Sequence, residues 1–452
     1  MQSPTPKPRK QLPFVTALVE TFGFSPKLAT AFTLLLVGLV IAAAAWVVRS
    51  APPRKLVLTS GPAGSSFARW AEQYQKALAE HGVTLEIRPS SGSLDNLQRL
   101  QATEPRVDIG FVTGGIAPND TGIRGVMSLG SVSYQPLMIF YRNPTPFTRL
   151  SDLAGKRLAV GTPGSGSRAI ALQLLQANGV TGAPTVFSDL DAESAAAGLV
   201  DGKLDAIFLM GDSASIQTLR NLVRTPGIQL FDFKQADAYL RKYSFLNKIS
   251  LPEGSFDLAK NLPATDVDVI GPTVELVARE DLNPALCDLL LEKAQQIHGK
   301  PNILQKKGEF PTPLDHDIEL SEDALRFYKS GKGLAYRLIK NFWIANLTNR
   351  ILVAIVPLAL VLLPILRLLP VAYQLGVRLR IYRCYRPLLR IERDLFGELT
   401  AERVQELQHR LDEVEQLVNL LKVPASFADQ FYELRVHIAF VRQRLEAAAH
   451  KA

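Results

Sequence analysis

Three short stretches place glycines and hydroxyl-bearing residues where a strand would end and a helix begin. They are Thr59-Ser60-Gly61-Pro62-Ala63-Gly64-Ser65-Ser66, Pro89-Ser90-Ser91-Gly92-Ser93 and Gly161-Thr162-Pro163-Gly164-Ser165-Gly166-Ser167. None of the three contains a carboxylate. The first N–H groups of a helix lack internal partners and carry the positive end of its dipole, so such loops suit an anion, either a carboxylate or a phosphate. Val112-Thr113-Gly114-Gly115 and Met210-Gly211-Asp212-Ser213 are weaker members of the same set, and add Thr113 and Asp212 as candidates. Two further side chains could specify a ligand. Arg168, at the start of the helix behind the third loop, could hold a carboxylate through two parallel hydrogen bonds. Tyr134 could close over a ligand as an aromatic wall. Asp212 itself could accept from a ligand amino group or cap a helix over Ser213–Leu222.

Other chemistries fit less well. Gly164-Ser165-Gly166-Ser167-Arg168-Ala169 follows the G-x-G-x-x-A pattern of dinucleotide sites, with Asp189 about 20 residues on. Thr162-Pro163 interrupts the path from strand to first glycine, so a dinucleotide-dependent enzyme is a lesser alternative. The loop lacks the Gly-Lys-Ser/Thr ending of a phosphate-cradling Walker motif. There is no G-x-S-x-G nucleophile elbow. His81, His298 and His316 stand apart in sequence, and no His/Cys cluster has metal-ligand spacing. The expectation is a non-enzymatic binder with no catalytic residue, metal or cofactor.

The loops need strands and helices to position them, and the middle of the chain supplies both in alternation. Strand patterns fall at Leu56–Thr59, Val83–Ile87, Val107–Val112, Leu137–Tyr141, Arg157–Val160, Thr185–Phe187, Leu204–Leu209, Ile228–Phe231 and Thr273–Ala278. Helical patterns at Ser65–Glu80, Ser93–Ala102, Arg168–Ala177, Ala192–Val200, Ser213–Leu222 and Lys234–Tyr243 lie between them. This is the grammar of parallel α/β sheets. In open sheets ligands settle beyond the C-terminal strand edges, where all three loops fall. The expected architecture is one domain over 51–345. Its first lobe covers about 55–136 plus 280–335, its second about 143–272, and a cleft lies between them.

The flanks differ in charge and hydropathy. The net charge is +8, yet residues 51–349 hold 31 basic and 31 acidic residues, so the excess sits outside them. A balanced middle without a basic stripe interleaved with aromatics argues against nucleic acid as its partner. Residues 1–27 are Pro-rich and basic and read as a disordered or membrane-surface segment on the cytoplasmic side. Leu28 to Val48 is 21 uncharged residues, the length that crosses a hydrocarbon core. A cleaved signal peptide competes, but its apolar core is ordinarily shorter. A second span is expected over 351–369, followed by Arg378, Arg380, Arg383, Arg386, Arg390 and Arg393. Basic residues mark the cytoplasmic side of each span, so both termini are expected inside and the main domain outside the inner membrane. In 370–452, Leu407, Leu411, Val414, Val418 and Leu421, then Phe427, Phe431, Leu434, Ile438, Val441 and Leu445, repeat at spacings of four and three. With Thr400 and Ser426 as caps, they predict a helical hairpin of coiled-coil type, open to self-association.

The order TSGPAGSSFARWAEQYQKAL, RPSSGSLDNLQRL, VDIGFV, SLGSVSYQPLMIFYR, LSDLAGKRLAVGTPGSGSRA, DGKLDAIFLMGDSASIQTLR and FPTPLDHDIELSEDALRFYKS resembles the TAXI class of solute receptors. These serve tripartite ATP-independent periplasmic (TRAP) transport systems, and the similarity covers about residues 55–330. The resemblance implies a two-lobed periplasmic-binding fold of type II that closes on a small organic carboxylate or amino acid and passes it to a sodium-driven permease. It assigns ligand contact to Ser60, Gly61, Gly64 and Ser65 in the first loop, to Ser91, Gly92 and Ser93 in the second, and to Thr162, Ser165, Gly166 and Ser167 in the third. The chain departs from the family at Ser66-Phe67, where an aromatic pair is usual, and at Ser133, where a tyrosine is usual and Tyr134 stands one place on. The second span and helical tail are also unusual there. They raise an alternative, a transmembrane sensor or scaffold signalling through its cytoplasmic hairpin.

Overall fold

The computed structural model describes residues 13–22, 26–116, 123–314, 317–396, 400–421, 423 and 427–449. Ser50–Thr348 form one compact unit, and the segments on either side of it form another. In the flanking unit, α1 (Pro13–Phe22) precedes α2 (Pro26–Arg49). α2 is long and apolar enough to cross a membrane.

The central unit begins with β1 (Lys55–Thr59), α3 (Ser66–Ala79), β2 (Thr84–Arg88), α4 (Ser93–Gln101), β3 (Ile109–Thr113) and β4 (Val126–Tyr134). The chain then leaves for a second lobe through β5 (Met138–Tyr141). That lobe continues with β6 (Arg157–Ala159), α5 (Gly166–Ala177), β7 (Val186–Ser188), α6 (Ala192–Val200), β8 (Ala206–Leu209), α7 (Ile216–Arg224), β9 (Gln229–Leu230) and α8 (Ala236–Lys242). A hairpin of β10 (Asn247–Leu251) and β11 (Val267–Gly271) completes it. β12 (Thr273–Arg279) returns to the first lobe, where α9 (Pro284–His298), α10 (Glu322–Ser330) and α11 (Leu334–Leu338) follow.

The two sheets share one plan. The first runs β2-β1-β3-β12-β4 and the second β7-β6-β8-β5-β9. In each, three parallel strands are joined by one antiparallel strand: β5, by which the chain enters the second lobe, and β12, by which it returns to the first. The crossings lie side by side: Leu137 N–H donates to Ile270 O at 2.9 Å and Gln135 N–H to Pro272 O at 2.8 Å. Gly271 is required there, because a Cβ would stand 2.2 Å from the Gln135 carbonyl oxygen. Two adjacent strands between two rigid sheets make a hinge.

Local sequence explains most of these elements. α3 buries Phe67, Ala71, Tyr74 and Leu78, one helical face, and Ser65 caps it by accepting from Ala68 N–H at 3.2 Å. Phe67 and Phe111 pack at 5.4 Å between centroids, joining α3 to β3 in the first-lobe core. In α9, Asn283 caps and Pro284 opens the helix. Three strands, β4, β10 and β11, lie outside the sequence expectation. In β4 Ser128, Ser131 and Ser133 interrupt any apolar run, yet they are buried, and β12 supplies the pairing. The helix expected over Ser213–Leu222 begins instead at Ile216, with Ser215 as its cap.

The C-terminal segment is built on α12 (Phe342–Asp394), one continuous 53-residue helix, followed by α13 (Ala401–Asn419) and α14 (Ala428–Ala449). Its stretch Phe342–Ile365 is the second long apolar candidate span. α13 and α14 form the expected hairpin, and α12 adds a third helix to its core. Val377, Ile381, Leu388 and Ile391 of α12 share a core with Leu407, Leu411, Val414 and Val418 of α13 and Leu434, Ile438, Val441 and Leu445 of α14. Burying two seams leaves an apolar groove that a third helix covers. Thr400 stands at the α13 cap position without a side-chain bond, and Ser426 lies outside the described residues.

Candidate functional site

All three glycine-serine loops meet where the lobes touch. Ser66 of the first loop donates its N–H to Gly211 O at 2.8 Å, and its hydroxyl to the same oxygen at 2.5 Å. Ser65 forms an isolated bridge to Ser215. From the second loop, Leu94 and Asp95 give their N–H groups to Gly164 O of the third, each at 3.1 Å. Ser91 and Gly164 are in van der Waals range, and a Cβ on Gly164 would lie 3.1 Å from that of Ser91. Ser60 is buried; its carbonyl oxygen accepts from Ser90 Oγ at 3.0 Å and from Asn96 Nδ2 at 2.5 Å. Asn96, fully buried, also accepts from Thr59 Oγ1 at 2.6 Å and donates to Phe111 O at 2.9 Å, so it ties α4 to the ends of β1 and β3. Gly61 lies behind this contact, its position for a Cβ 2.8 Å from Asp212 O. Thr162 accepts from Ser165 Oγ, which caps α5 through Arg168 N–H. Gly64 is exposed at the rim.

Asp212 sits at the centre of this convergence with no exposed surface. Its Oδ2 accepts from Gly166 N–H at 2.6 Å and its Oδ1 from Ser213 Oγ at 2.9 Å. The main-chain amides of Ser93 and Ser167 add to the favourable field on the charged form. Burial pushes the carboxyl up from its ordinary range, and these donors pull in the opposite direction. Only glycine fits around it: a Cβ on Gly166 would lie 2.9 Å from Oδ2, and Gly92 holds φ at +127° with its Cβ position 3.0 Å away. Thr113 is fully buried nearby, and its Oγ1 lacks a hydrogen-bond partner. Gln135 at the hinge completes the arrangement, its side-chain carbonyl accepting from Gly211 and Asp212 N–H once the amide is oriented to suit its neighbours. Sequence reading missed Gln135 and Asn96. A lone amide carries no local signal of either contact.

Two candidates stand elsewhere. Arg168 is paired with Asp189, the acidic residue that a dinucleotide reading would place on the ribose. Tyr134 donates to Glu309 at 2.9 Å and packs edge-on to Phe310 at 4.9 Å, and burial pushes its hydroxyl up to about 12. Asp212 does not cap α7, since Ser215 does. Among the described residues no cluster of His, Cys, Asp or Glu could hold a metal ion; His316 lies outside them.

Beside the amide ring lies a cavity of about 500 Å³ walled by both lobes. Ser66, Trp70 and Tyr134 line it from the first lobe, and Met138, Leu219 and Phe256 from the second. The wall is chiefly apolar, while the exposed Arg69 and Arg220 add one guanidinium from each lobe. Among the residues expected to bind a ligand, Tyr134 lines this space.

Two α/β lobes of matching strand order, joined by paired hinge strands around a shared cleft, define the two-lobed fold of the periplasmic solute-binding proteins. The chain belongs to the NMT1-like family, which it matches over residues 59–329. Solved structures similar to it include an ancestral arginine-binding protein bound to arginine, at 15% identity and TM-score 0.35, covering 55% of this chain and 93% of that one. The periplasmic aliphatic sulphonate binding protein from Escherichia coli is 14% identical with TM-score 0.34, covering 67% and 84%. The substrate binding protein of an amino acid ABC transporter is 15% identical with TM-score 0.33, covering 54% and 92%.

Proposed function

We propose that this protein is a membrane-anchored solute receptor that closes its two lobes on a small organic anion or amino acid. The observation that carries this reading is the 500 Å³ cavity whose walls come from both lobes. A ligand touching both walls stabilises the closed state over the open one, which is all that hinge closure requires. The apolar lining favours a solute with an aliphatic or aromatic body, and Arg69 and Arg220 favour an anionic head. α2 and the first part of α12 anchor the receptor in the inner membrane, with the domain periplasmic and both termini cytoplasmic. The motifs shared with TAXI receptors support a TRAP-type permease as its partner. No cofactor and no catalytic step are part of this reading.

The test uses the full chain in nanodiscs and compares hexanesulfonate with methanesulfonate, the same head without the body. Hexanesulfonate is expected to raise the melting temperature and methanesulfonate to do so at least tenfold more weakly, with Trp70→Ala abolishing the difference. A panel of sulfonates, carboxylates and amino acids that leaves melting unchanged refutes the receptor. Fluorescence of a C-terminal green fluorescent protein fusion checks the cytoplasmic tail. Co-purification with a permease checks the partner.

The continuity of α12 favours a second reading, a sensor. One unbroken helix from the apolar stretch into the three-helix core could carry a ligand-driven shift. Crosslinking of the tail that is indifferent to solute removes it.

A further inference from the structure

We infer that the ring of main-chain amides formed by the starts of α4 and α5 is filled by the chain's own Asp212 carboxylate, a built-in substitute for a solute's anion, so that no external anion enters the ring. The inference rests on the receptor reading and concerns the same cleft.

Asp212 is placed as a ligand carboxylate would be. Its Oδ2 takes the Gly166 amide at 2.6 Å, from the first turn of α5 in the second lobe. The start of α4 in the first lobe lies against the same oxygen, the Gly92 Cβ position being 3.0 Å from Oδ2. One carboxylate is thus held between helix starts of both lobes, the property that makes a solute drive closure. The fit is close on every side. Gly166 and Gly92 leave room for this carboxylate and no more, their Cβ positions lying 2.9 and 3.0 Å from Oδ2. A second anion would have to displace Asp212 into surroundings that exclude water. Thr113 is the independent sign that this pocket is an anion cradle: its hydroxyl is fully buried beside Gly166, unpartnered, with Oγ1 3.4 Å from the Gly166 Cβ position. With Asp212 shortened, that hydroxyl and the freed amides are donors without an acceptor, a site for a small carboxylate. The solute's own head group is therefore held outside the ring, in the neighbouring cavity.

Acetate is the probe, on the full chain in nanodiscs. Asp212→Ala is expected to gain an acetate-dependent rise in melting temperature, about 3 °C at ten times the dissociation constant, saturable and not reproduced by chloride. Wild type and Asp212→Asn, whose rings stay filled, are expected to show no rise. Acetate that stabilises wild type as much as Asp212→Ala overturns the inference. So does a folded Asp212→Ala that ignores acetate. Should Asp212→Ala not fold, hydrogen exchange on the wild type without added solute decides. Slow exchange at Ser93 and Gly166 N–H supports the filled ring, and exchange as fast as at open loop amides overturns it. The receptor reading fails separately, through a solute panel that leaves wild type unmoved while Asp212→Ala still takes acetate.

Discussion

His298 ends α9 beneath the cavity wall, 4% exposed, its ring edge-on to Trp70 at 5.0 Å and 5.8 Å from Tyr74. Its Nε2 has no hydrogen-bond partner. The end of a helix dipole would favour a protonated imidazole, but burial wins and lowers the pKa from 6.5 to about 3. A base whose folded pKa is depressed leaves stability intact above the unfolded value, and stability is lost as pH falls from there towards the folded value. Below about pH 6.5 the unfolded chain takes up a proton that the native one refuses. At pH 5 the unfolded state therefore gains about 2 kcal/mol, 1.5 units at about 1.36 kcal/mol each. For a unit of this size that is a fall of about 3 °C in melting temperature. His298→Leu keeps an apolar body of similar bulk and removes the titration. The assay is thermal unfolding of wild type and variant at pH 7.5 and pH 5, followed by tryptophan fluorescence. The expected result is that wild type loses about 2 kcal/mol more than the variant between the two pH values. Parallel losses would refute the reasoning, since they mean that native His298 accepts its proton freely.

At the hinge, Gly271→Ala sets a methyl 2.2 Å from the Gln135 carbonyl oxygen and 2.7 Å from Pro136 Cα, a backbone clash that no rotamer relieves. It is expected to cost about 1–3 kcal/mol in urea unfolding, and an unchanged midpoint would mean the crossings do not pack so closely. Arg168→Ala breaks a half-exposed pair with Asp189, so stability should fall by less than about 1 kcal/mol. Solute affinity should stay within twofold in titration calorimetry, and a tenfold loss would put Arg168 on the ligand. In the C-terminal bundle Leu434 is fully buried among three helices. Leu434→Ala is expected to destabilise that bundle by about 2–5 kcal/mol, read by the helical circular dichroism of its transition.

Much of the framework was legible locally. The first and third glycine-serine loops stand at the starts of α3 and α5, where Ser65 and Ser165 act as caps, α5 beginning two residues before the expected Arg168. The alternation of apolar runs with helical patterns yields two α/β sheets, and the seams of α13 and α14 are buried along the residues their spacing names. Each of these signals is contained within a few neighbouring residues. β4 was not legible because serines at Ser128, Ser131 and Ser133 break the apolar run a strand would show, and its pairing partner β12 lies more than a hundred residues on. The groove that draws α12 onto the tail hairpin likewise exists once two seams have closed.

The candidate site divides along the same line. Composition and spacing determined that loops rich in N–H donors stand at several helix starts, because a cap and a glycine are properties of one segment. Tertiary structure alone decided what those donors bind. Gly166 and Asp212 are 46 residues apart, and packing of the second lobe brings the carboxylate to the amide. It also turned Arg168 towards Asp189 and opened the apolar space beside Trp70 instead of among the serines. A hydrogen-bond donor is written in the chain, but its acceptor is whichever group the closed lobes leave within reach, since a buried donor left unpaired costs more than the choice of partner.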